Sequence, residues 1–464
     1  MIKKLFYLIL AIFIIINIFF IYYLDIIPIN YIYLLIGILT ILFFISYFFI
    51  NRKNKLLSIL GILVFIIIFT SNILGSFIIV RTNSFFNSIT NKIEEINNYN
   101  IIVLNDSKYK DLENIKDKEI GIINNDNNYN DIIEQVNNLV DCNIKNYDNI
   151  IYLINDLINK KIDGIIISDS YISIINDNID NFKDDIKIIK TISIKSKEEL
   201  VLEEKDVSLN SFNVYISGID TYGDINRVSR SDVNMIASIN INNNKILLTN
   251  IPRDMYVPLV GMNDNMDKLT HAGIYGINTS IGTLENFLDI KIDYYVRINF
   301  NTLVSIVDYL GGIDVYSDYN FKAGRRYYNV GMNYNLSGKE ALEFARNRYA
   351  FRDGDRQRGR NQQKVIEAIV EKVTKSRDIN TYLNLVSALE KSFETNMDKE
   401  TITKFIKMQI ENNYSWNIEM NDVNGFDSMN YTYSYPWQML YVMLVDENSL
   451  NLAKEKINSV LEEE

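Results

Sequence analysis

This sequence predicts an α/β protein in three parts. Residues 1–82 read as a three-helix membrane anchor, 83–200 as a small α/β accessory domain, and 207–464 as a larger α/β domain with a central mixed sheet flanked by helices. Three observations predict it. Residues 5–24, 31–50 and 56–80 are apolar runs, each reaching the roughly 20 residues that cross a bilayer core. From about 84 to 200, short apolar strands alternate with polar helical stretches. After 207 the alternation resumes with longer strands and clearer turn signals.

The first apolar run is too long for a signal peptide, and no small-x-small cleavage site follows it. Basic residues in the short loops set the orientation. Lys3 and Lys4 precede the first run, and Arg52, Lys53 and Lys55 fill the second loop, while residues 25–30 carry no Lys or Arg. The expectation is a multi-pass membrane protein with a cytoplasmic N-terminus and residues 81–464 extracytoplasmic. Arg81 is a weak dissenting charge.

The chain of 464 residues has a formal net charge of −11. Its first 80 residues hold five Lys/Arg and one Asp, so the rest is more acidic than the whole. An acidic remainder argues against general nucleic-acid binding, which wants a basic domain. Cys142 is the single cysteine, which excludes an intramolecular disulfide. His271 is the single histidine, which excludes a zinc site built on several histidines and argues against a Ser-His-Asp triad.

In the accessory region, 101–104, 120–123 and 163–168 read as strands, and 130–140 and 147–159 as helices. The pattern is loosely similar to one lobe of an extracellular solute-binding protein; a plain spacer is the alternative. Residues 196–206 are charged and read as a linker.

In the third part, 212–219, 233–239 and 246–251 read as strands, with Asn242, Asn243 and Asn244 turning the second into the third. Tracing strand direction brings Asp220, Arg230, Asp232, Arg253 and Asp254 to one sheet edge, where sites in α/β sheets are common. A strand at 294–299 and a helix at 302–310, stopped by Gly311 and Gly312, follow; 313–316 is again a strand. Ser337 and Glu340 form a capping box that opens a helix running toward Arg346. A further helix begins near Arg358, with Val365, Ile366, Ile369 and Val373 at helical spacing. Arg358 and Gln362 share a face near its start, where a helix N-terminus favours anions.

Eight arginines fall within 325–360 of this acidic chain. Such a cluster calls for concentrated negative charge such as phosphate or pyrophosphate. On the predicted topology it lies outside the cell and next to lipid, away from cytoplasmic nucleotides.

The stretches "SGID…RVSRSDVNMIASIN…KILLTNIPRDMYV", "DKLTHAGIYG", "IDYYVRINF", "VDYLGGIDVY", "LSGKEALEFARNR" and "RDGDRQRGRNQQKV" occur in that order over 207–464. Together they closely resemble the LytR–CpsA–Psr family. The three spans and the extra α/β domain resemble some capsule-attaching members. The resemblance implies a phosphotransferase that moves a glycopolymer from a polyprenyl-pyrophosphate carrier to a sugar hydroxyl of peptidoglycan, leaving a phosphodiester and polyprenyl monophosphate. The partners implied are the polyprenyl-pyrophosphate-linked glycopolymer, the peptidoglycan acceptor and membrane lipid, with no nucleic acid.

Magnesium takes oxygen ligands, often one or two carboxylates with phosphate oxygens and water. Asp220 and Asp232 can supply the pair and match the family's metal ligands, for Mg2+ with Mn2+ as a substitute. The alternative is that one of them caps a loop or pairs with Arg230. Arg230, Arg253, Arg346, Arg348, Arg358 and Gln362 match family residues that hold the pyrophosphate, and Arg230 and Arg253 are also expected to act in catalysis. Asp355 is the candidate general base, with Asp254 and Asp353 as rivals; for each, an ion pair with a neighbouring arginine is the alternative. Arg352, Arg356 and Arg360 either line the acceptor or are solvated, Arg325 and Arg326 read as surface residues, His271 as structural with acceptor or lipid contact as the alternative, and Lys268 as a phosphate contact. Phe287, Leu288, Ile298, Phe300, Val304, Ile306, Val307 and Leu310 line either a lipid groove or an ordinary core. A polyprenyl-pyrophosphate hydrolase and a membrane receptor or regulator of envelope assembly are the competing readings.

Overall fold

The computed structural model describes residues 2–90, 94–124, 126, 128–179, 182–197, 210–219, 225–376, 381–382, 385 and 393–462. The apolar runs form α1 (Ile2–Leu24), α2 (Ile29–Ile50) and α3 (Lys55–Thr90). All three are long and apolar enough to cross a membrane. Several polar groups turn inward between them: Tyr7 and Ser46 share a hydrogen bond of 2.6 Å, and Asn17 donates to Asn72 Oδ1 at 3.0 Å. Such pairs satisfy groups that hydrocarbon cannot. The helix α3 runs on beyond its apolar stretch. Its Phe86 is buried against Phe393, Ile402 and Ile406 of the C-terminal part. Lys407 donates to Asp25 at 2.9 Å, and Lys399 sits 4.4 Å from the Tyr23 ring.

The accessory region follows as β1 (Glu94–Leu104), β2 (Glu119–Ile123), α4 (Tyr129–Leu139), β3 (Asn143–Tyr147), α5 (Ile150–Ile158), β4 (Gly164–Ser168), α6 (Asp169–Asn178), α7 (Phe182–Asp185) and β5 (Ile186–Lys197). Its five strands lie in the order β3-β2-β4-β1-β5. β2 is parallel to β3 and β4, and β1 is antiparallel to β4 and β5. The stretch read as one helix over 147–159 divides. Tyr147 is buried and ends β3, and the Asn149 side chain accepts from the amides of Ile151 and Tyr152 to start α5. β5 carries an alternation of Ile with Lys, Ser and Thr, of which Ile192 and Ile194 are buried.

The third part opens with β6 (Ser211–Ile219), β7 (Ser231–Asn240) and β8 (Lys245–Ile251), then β9 (Tyr256–Pro258), β10 (Met266–Lys268), α8 (Leu269–Ala272), α9 (Ile277–Leu288) and β11 (Tyr294–Ile298). α10 (Phe300–Tyr309), β12 (Ile313–Ser317), β13 (Phe321–Ala323), β14 (Arg326–Tyr328), β15 (Gly331–Leu336), α11 (Gly338–Arg346) and α12 (Asp355–Thr374) form a side lobe around its own core. β16 (Phe393–Thr395), a helix over Lys399–Asn412, β17 (Asn417–Asp422), β18 (Gly425–Thr432), β19 (Tyr435–Val445) and a helix over Glu447–Glu462 complete the chain.

The central six-stranded sheet has the order β16-β11-β6-β7-β8-β17. β11 is parallel to β6, and β17 to β8, while β6–β7, β7–β8 and β11–β16 are antiparallel. The sheet is therefore mixed. Side-chain alternation buries both faces. Phe212, Val214, Met235, Ala237, Ile246 and Leu248 face Ile366, Val370 and Phe405; Tyr215, Ile236, Leu247 and Ile251 face Ile281, Leu284 and Ile457. Helices thus cover both sides, and the strand ends at one edge are left for a site.

The accessory region is joined to this edge by backbone and by charge. Ile96 donates to Asn226 O at 2.9 Å and Val228 donates to Ile96 O at 3.1 Å. Arg297 of β11 is only 2 % exposed; it lies 3.4 Å from Glu394 of β16 and 3.8 Å from Glu95 of β1. Glu95 also accepts from the Ile277 amide at 3.2 Å. Arg297→Met leaves both carboxylates buried without their cation, and a loss of about 3–5 kcal/mol of stability is expected. Denaturant unfolding of the detergent-solubilised chain measures this; a loss no larger than the ~1 kcal/mol of a surface pair would refute it.

Candidate active site

Parallel strands β6, β8 and β11 end at the edge where antiparallel β7 begins. This places Arg230 and Asp232 at the start of β7 beside Arg253 and Asp254, which follow β8. The side lobe brings the other half. α11 ends at Arg346, a loop carries Arg348, and α12 starts at Asp355. That start is three residues earlier than the pattern of apolar positions indicates, because Gly354, at φ +47, turns the chain before the first apolar contact.

α12 is anchored to the sheet by a buried amide: Gln363 donates to Leu248 O at 3.0 Å and to Asn421 O at 2.7 Å. Gly359 allows the close approach, since a Cβ there would run into the Asn250 side chain. So seated, α12 turns Arg358 and Gln362 toward the strand edge.

Between the two halves lies a cavity of about 400 Å³. Arg230, Asp232 and Arg253 line it from the edge, and Arg346, Arg348, Arg358 and Gln362 from the lobe. Its remaining wall is largely apolar, made by Ile298, Phe300, Leu303 and Leu342. Arg346 lies over the Phe300 ring at 4.0 Å, at the junction of the charged and apolar walls. A second cavity, of about 600 Å³, opens on the other side of Arg230, Arg253 and Arg348. Asp254, Lys268, Asp353, Asp355 and Arg356 line that one.

The buried charges interleave. Arg253 donates to both oxygens of Asp232, at 2.9 and 3.0 Å, and Thr270 donates to Asp232 Oδ1 at 3.1 Å. Lys268 donates to Asp254 at 3.0 Å. Burial alone would push the Asp232 carboxyl up, but Arg253, Arg230 and Arg358 outweigh it and hold it below its ordinary value. Burial dominates at Asp355 and raises its carboxyl despite Arg358 and Arg253. Arg358 Nη2 comes within 2.6 Å of Asp355 Oδ1, without hydrogen-bond geometry. Arg253 Nε, 3.9 Å from the same oxygen, is also buried with no hydrogen-bond partner. A raised carboxylate and an unmatched guanidinium N–H thus face each other between the two cavities.

A model of the LytR_cpsA_psr family matches residues 173–449, more than half of the chain. The chain belongs to the LytR-CpsA-Psr family. Among relatives, a Bacillus cereus protein named polyisoprenyl-teichoic acid–peptidoglycan teichoic acid transferase TagU is 33% identical over 208 residues, 44% of this chain and 67% of that one. The Enterococcus faecalis protein of the same name is 33% identical over 221 residues, 47% of this chain and 71% of the relative. The crystal structure of Bacillus subtilis TagU aligns to 55% of this chain and 98% of its own at 26% identity, with a TM-score of 0.43.

Within this LytR-CpsA-Psr domain, Arg230, Asp232, Arg253, Arg346, Arg348, Arg358 and Gln362 meet at one cavity and Asp355 at the next. Asp220 lies outside the described residues. Ile298 and Phe300 line the first cavity, but Leu288, Val307 and Leu310 are core residues and Phe287 packs on the core. Helical spacing cannot separate a groove from a core when one helix serves both. His271 is buried, its Nδ1 lies 2.7 Å from both Asp267 and Ser434, and it also borders the 600 Å³ cavity. Arg356 bonds Gly425 O and Asp427, Arg360 bonds Asp353, and Arg326 pairs with Glu340, so these three are tied to protein partners. Thr270, in the quoted "DKLTHAGIYG", was missed because it has no sequence signal of its own; only the fold brings its hydroxyl to Asp232.

Among the described residues no group of three His, Cys, Asp or Glu forms a metal cage. Magnesium needs less, since phosphate oxygens and water can complete its shell around one carboxylate. Asp232, held below its ordinary value at the cavity wall, could take that single role only by sharing its oxygens with Arg253 and Thr270.

The two carboxyls have opposite linkage signs. Asp232, lowered, adds stability that is present above an unfolded value of ~3.9 and is lost as pH falls through its folded value. Asp355, raised, costs stability once pH climbs past ~3.9 and through its folded value. Asp355→Asn is therefore expected to raise the thermal midpoint at pH 7 relative to the parent, a gain that disappears near pH 3. A lower midpoint at pH 7 would mean that the charged pair with Arg358 is net stabilising.

Proposed function

We propose that this protein is an extracytoplasmic phosphotransferase that attaches a glycopolymer, carried on polyprenyl pyrophosphate, to a hydroxyl of peptidoglycan. One observation carries the reading: five guanidinium groups line a single cavity whose remaining wall is largely apolar. Planar forks suit the two phosphates, and the apolar wall suits the first isoprene units. The relatives' names, teichoic acid transferases acting between a polyisoprenyl carrier and peptidoglycan, point the same way.

The donor's pyrophosphate lies among Arg230, Arg253, Arg346, Arg348 and Arg358, with Gln362 donating to a phosphate oxygen. Charge that builds on the leaving phosphate is met by groups already in place, which costs no reorganisation. The acceptor hydroxyl enters from the 600 Å³ cavity. Its oxygen bonds to the phosphorus next to the glycan, the bridging P–O bond breaks, and polyprenyl monophosphate leaves. Asp355, held where burial raises its proton affinity, accepts the hydroxyl proton. Magnesium or manganese would be held by Asp232, with Asp220 as the expected second ligand, and would add positive charge at the pyrophosphate. The three spans keep the protein in the bilayer that holds the donor lipid, with the N-terminus in the cytoplasm and residues 81–464 outside.

Purified full-length chain, given a polyprenyl-pyrophosphate-linked saccharide and peptidoglycan fragments, is expected to form the phosphodiester. Arg253→Ala is expected to lower kcat by about 10²–10³, the usual loss for one electrostatic stabiliser. Undiminished transfer would remove Arg253 from the site, and phosphate release with no transfer would favour the hydrolase. For Asp355, activity should fall as pH drops through its raised value, giving an acid limb above the ordinary carboxylate range. Asp355→Asn should abolish that limb and cost about 10²–10⁴ in kcat; a limb that survives the substitution belongs to another group. Protease added to wall-stripped cells is expected to cleave within 207–464; full protection would reverse the topology.

A further inference from the structure

Away from the arginines, the seam between the accessory region and the LytR-CpsA-Psr domain opens into a cavity of about 740 Å³. Asn97, Asp126 and Tyr171 line one side, and Tyr275, Tyr433 and Trp437 the other. Its chemistry opposes that of the arginine cavity. Glu95, Asp126 and Asp148 line it, and among its described lining residues there is no Lys, Arg or His. A pyrophosphate or a phosphodiester chain would find no counter-charge there.

Tyr433 is exposed and Trp437 half-buried, while Tyr171 and Tyr275 turn their hydroxyls toward each other. Tyr275 and Tyr433 have centroids 6.0 Å apart, tilted by 48°, and Trp437 stands edge-on to Tyr435 at 5.5 Å. Asp126 is fixed beside them, accepting from Tyr99 at 2.7 Å and from the Asn128 amide at 2.9 Å. Aromatic faces flanked by fixed amide and carboxylate oxygens match a pyranose ring. Its C–H face lies on the aromatic ring, and its hydroxyl and acetamido groups donate to the oxygens. The absence of cations selects against anionic polymers, and the aromatic faces with their neighbouring amides suit neutral sugars.

We propose that this cavity between the two domains is a second glycan site that binds an uncharged hexose or N-acetylhexosamine segment. It has a structural link to the first site. α6 gives Ser170 and Tyr171 to this cavity, and Ile174 and Asn178 to the 600 Å³ cavity that holds Asp355. One accessory helix walls both, so a sugar chain held at the seam lies one helix away from the acceptor side. The chain has two sources, the acceptor's glycan strand or an uncharged stretch of the donor polymer. Binding at the seam does not rest on the transferase reading.

The test is calorimetric titration of the full-length chain in detergent with three probes. The first is a β-1,4-linked N-acetylglucosamine oligomer, representing the acceptor strand. The second is a phosphate-free repeat oligosaccharide from the cell's own wall polymer, representing the donor. The third is a glycerol-phosphate oligomer. Saturable binding of the first or the second is expected, and which one binds names the source. Trp437→Ala and Tyr433→Ala should each weaken it roughly tenfold. Tyr433 is 43 % exposed, so its loss does not endanger the fold. Arg253→Ala should leave this binding intact while it reduces transfer, which separates failure at the seam from failure of the transferase reading. No binding of either neutral probe, binding undiminished in both aromatic variants, or glycerol-phosphate binding that Trp437→Ala and Tyr433→Ala weaken equally would overturn the proposal.

Discussion

Positive charge cannot be stored in a half-buried cleft without partners, and this requirement shapes the strand edge. Arg253 is held by Asp232, with Asp254 and Asp355 nearby; Lys268 is held by Asp254, and Arg358 is drawn close to Asp355. Each carboxylate offsets part of the desolvation of its cation, and each cation keeps a carboxylate in place. Asp232 and Asp355 differ only in how this balance falls, three arginines dominating at one and burial at the other. The same six side chains therefore fix the local fold and leave two of their atoms, Arg253 Nε and Asp355 Oδ1, without matched partners. A phosphate-bearing ligand offers these guanidinium groups a second set of oxygens in the same geometry.

Much of this could be read before any coordinates. Strand direction alone put Arg230, Asp232, Arg253 and Asp254 at one edge, because antiparallel neighbours exchange ends and the turn at Asn242, Asn243 and Asn244 fixed which ends meet. The capping box at Ser337 and Glu340 is present, so the approach of α11 to Arg346 was legible too. Other features have no local signature. The start of α12 depends on Gly354, whose positive φ no periodicity reports. The difference between Phe300, on the cavity, and Val307, in the core, is set by which neighbour each meets. Arg297 was passed over because its partners lie some 200 residues before it and about 100 after it.

That buried triad changes how the accessory region is understood. Glu95 belongs to β1, yet its partners are on β11 and at the start of α9. Ile96 adds backbone pairing to the stretch that leads directly to Arg230. The accessory sheet packs against one wall of the charged edge, and through α6 it lends side chains to two cavities.

The length of α3 carries one more consequence. At 36 residues it measures about 54 Å, while a hydrocarbon core is ~30 Å deep. Its far end is clasped by Phe393, Ile402 and Ile406 instead of fraying into a linker. The end of the helix is therefore held by the C-terminal part, which also meets the turn between α1 and α2 through Lys407 and Asp25. Spans and domain thus share one apolar cluster, Leu24, Ile26, Ile79 and Phe86 with Phe393, Ile402 and Ile406, and a change there would be felt on both sides of it.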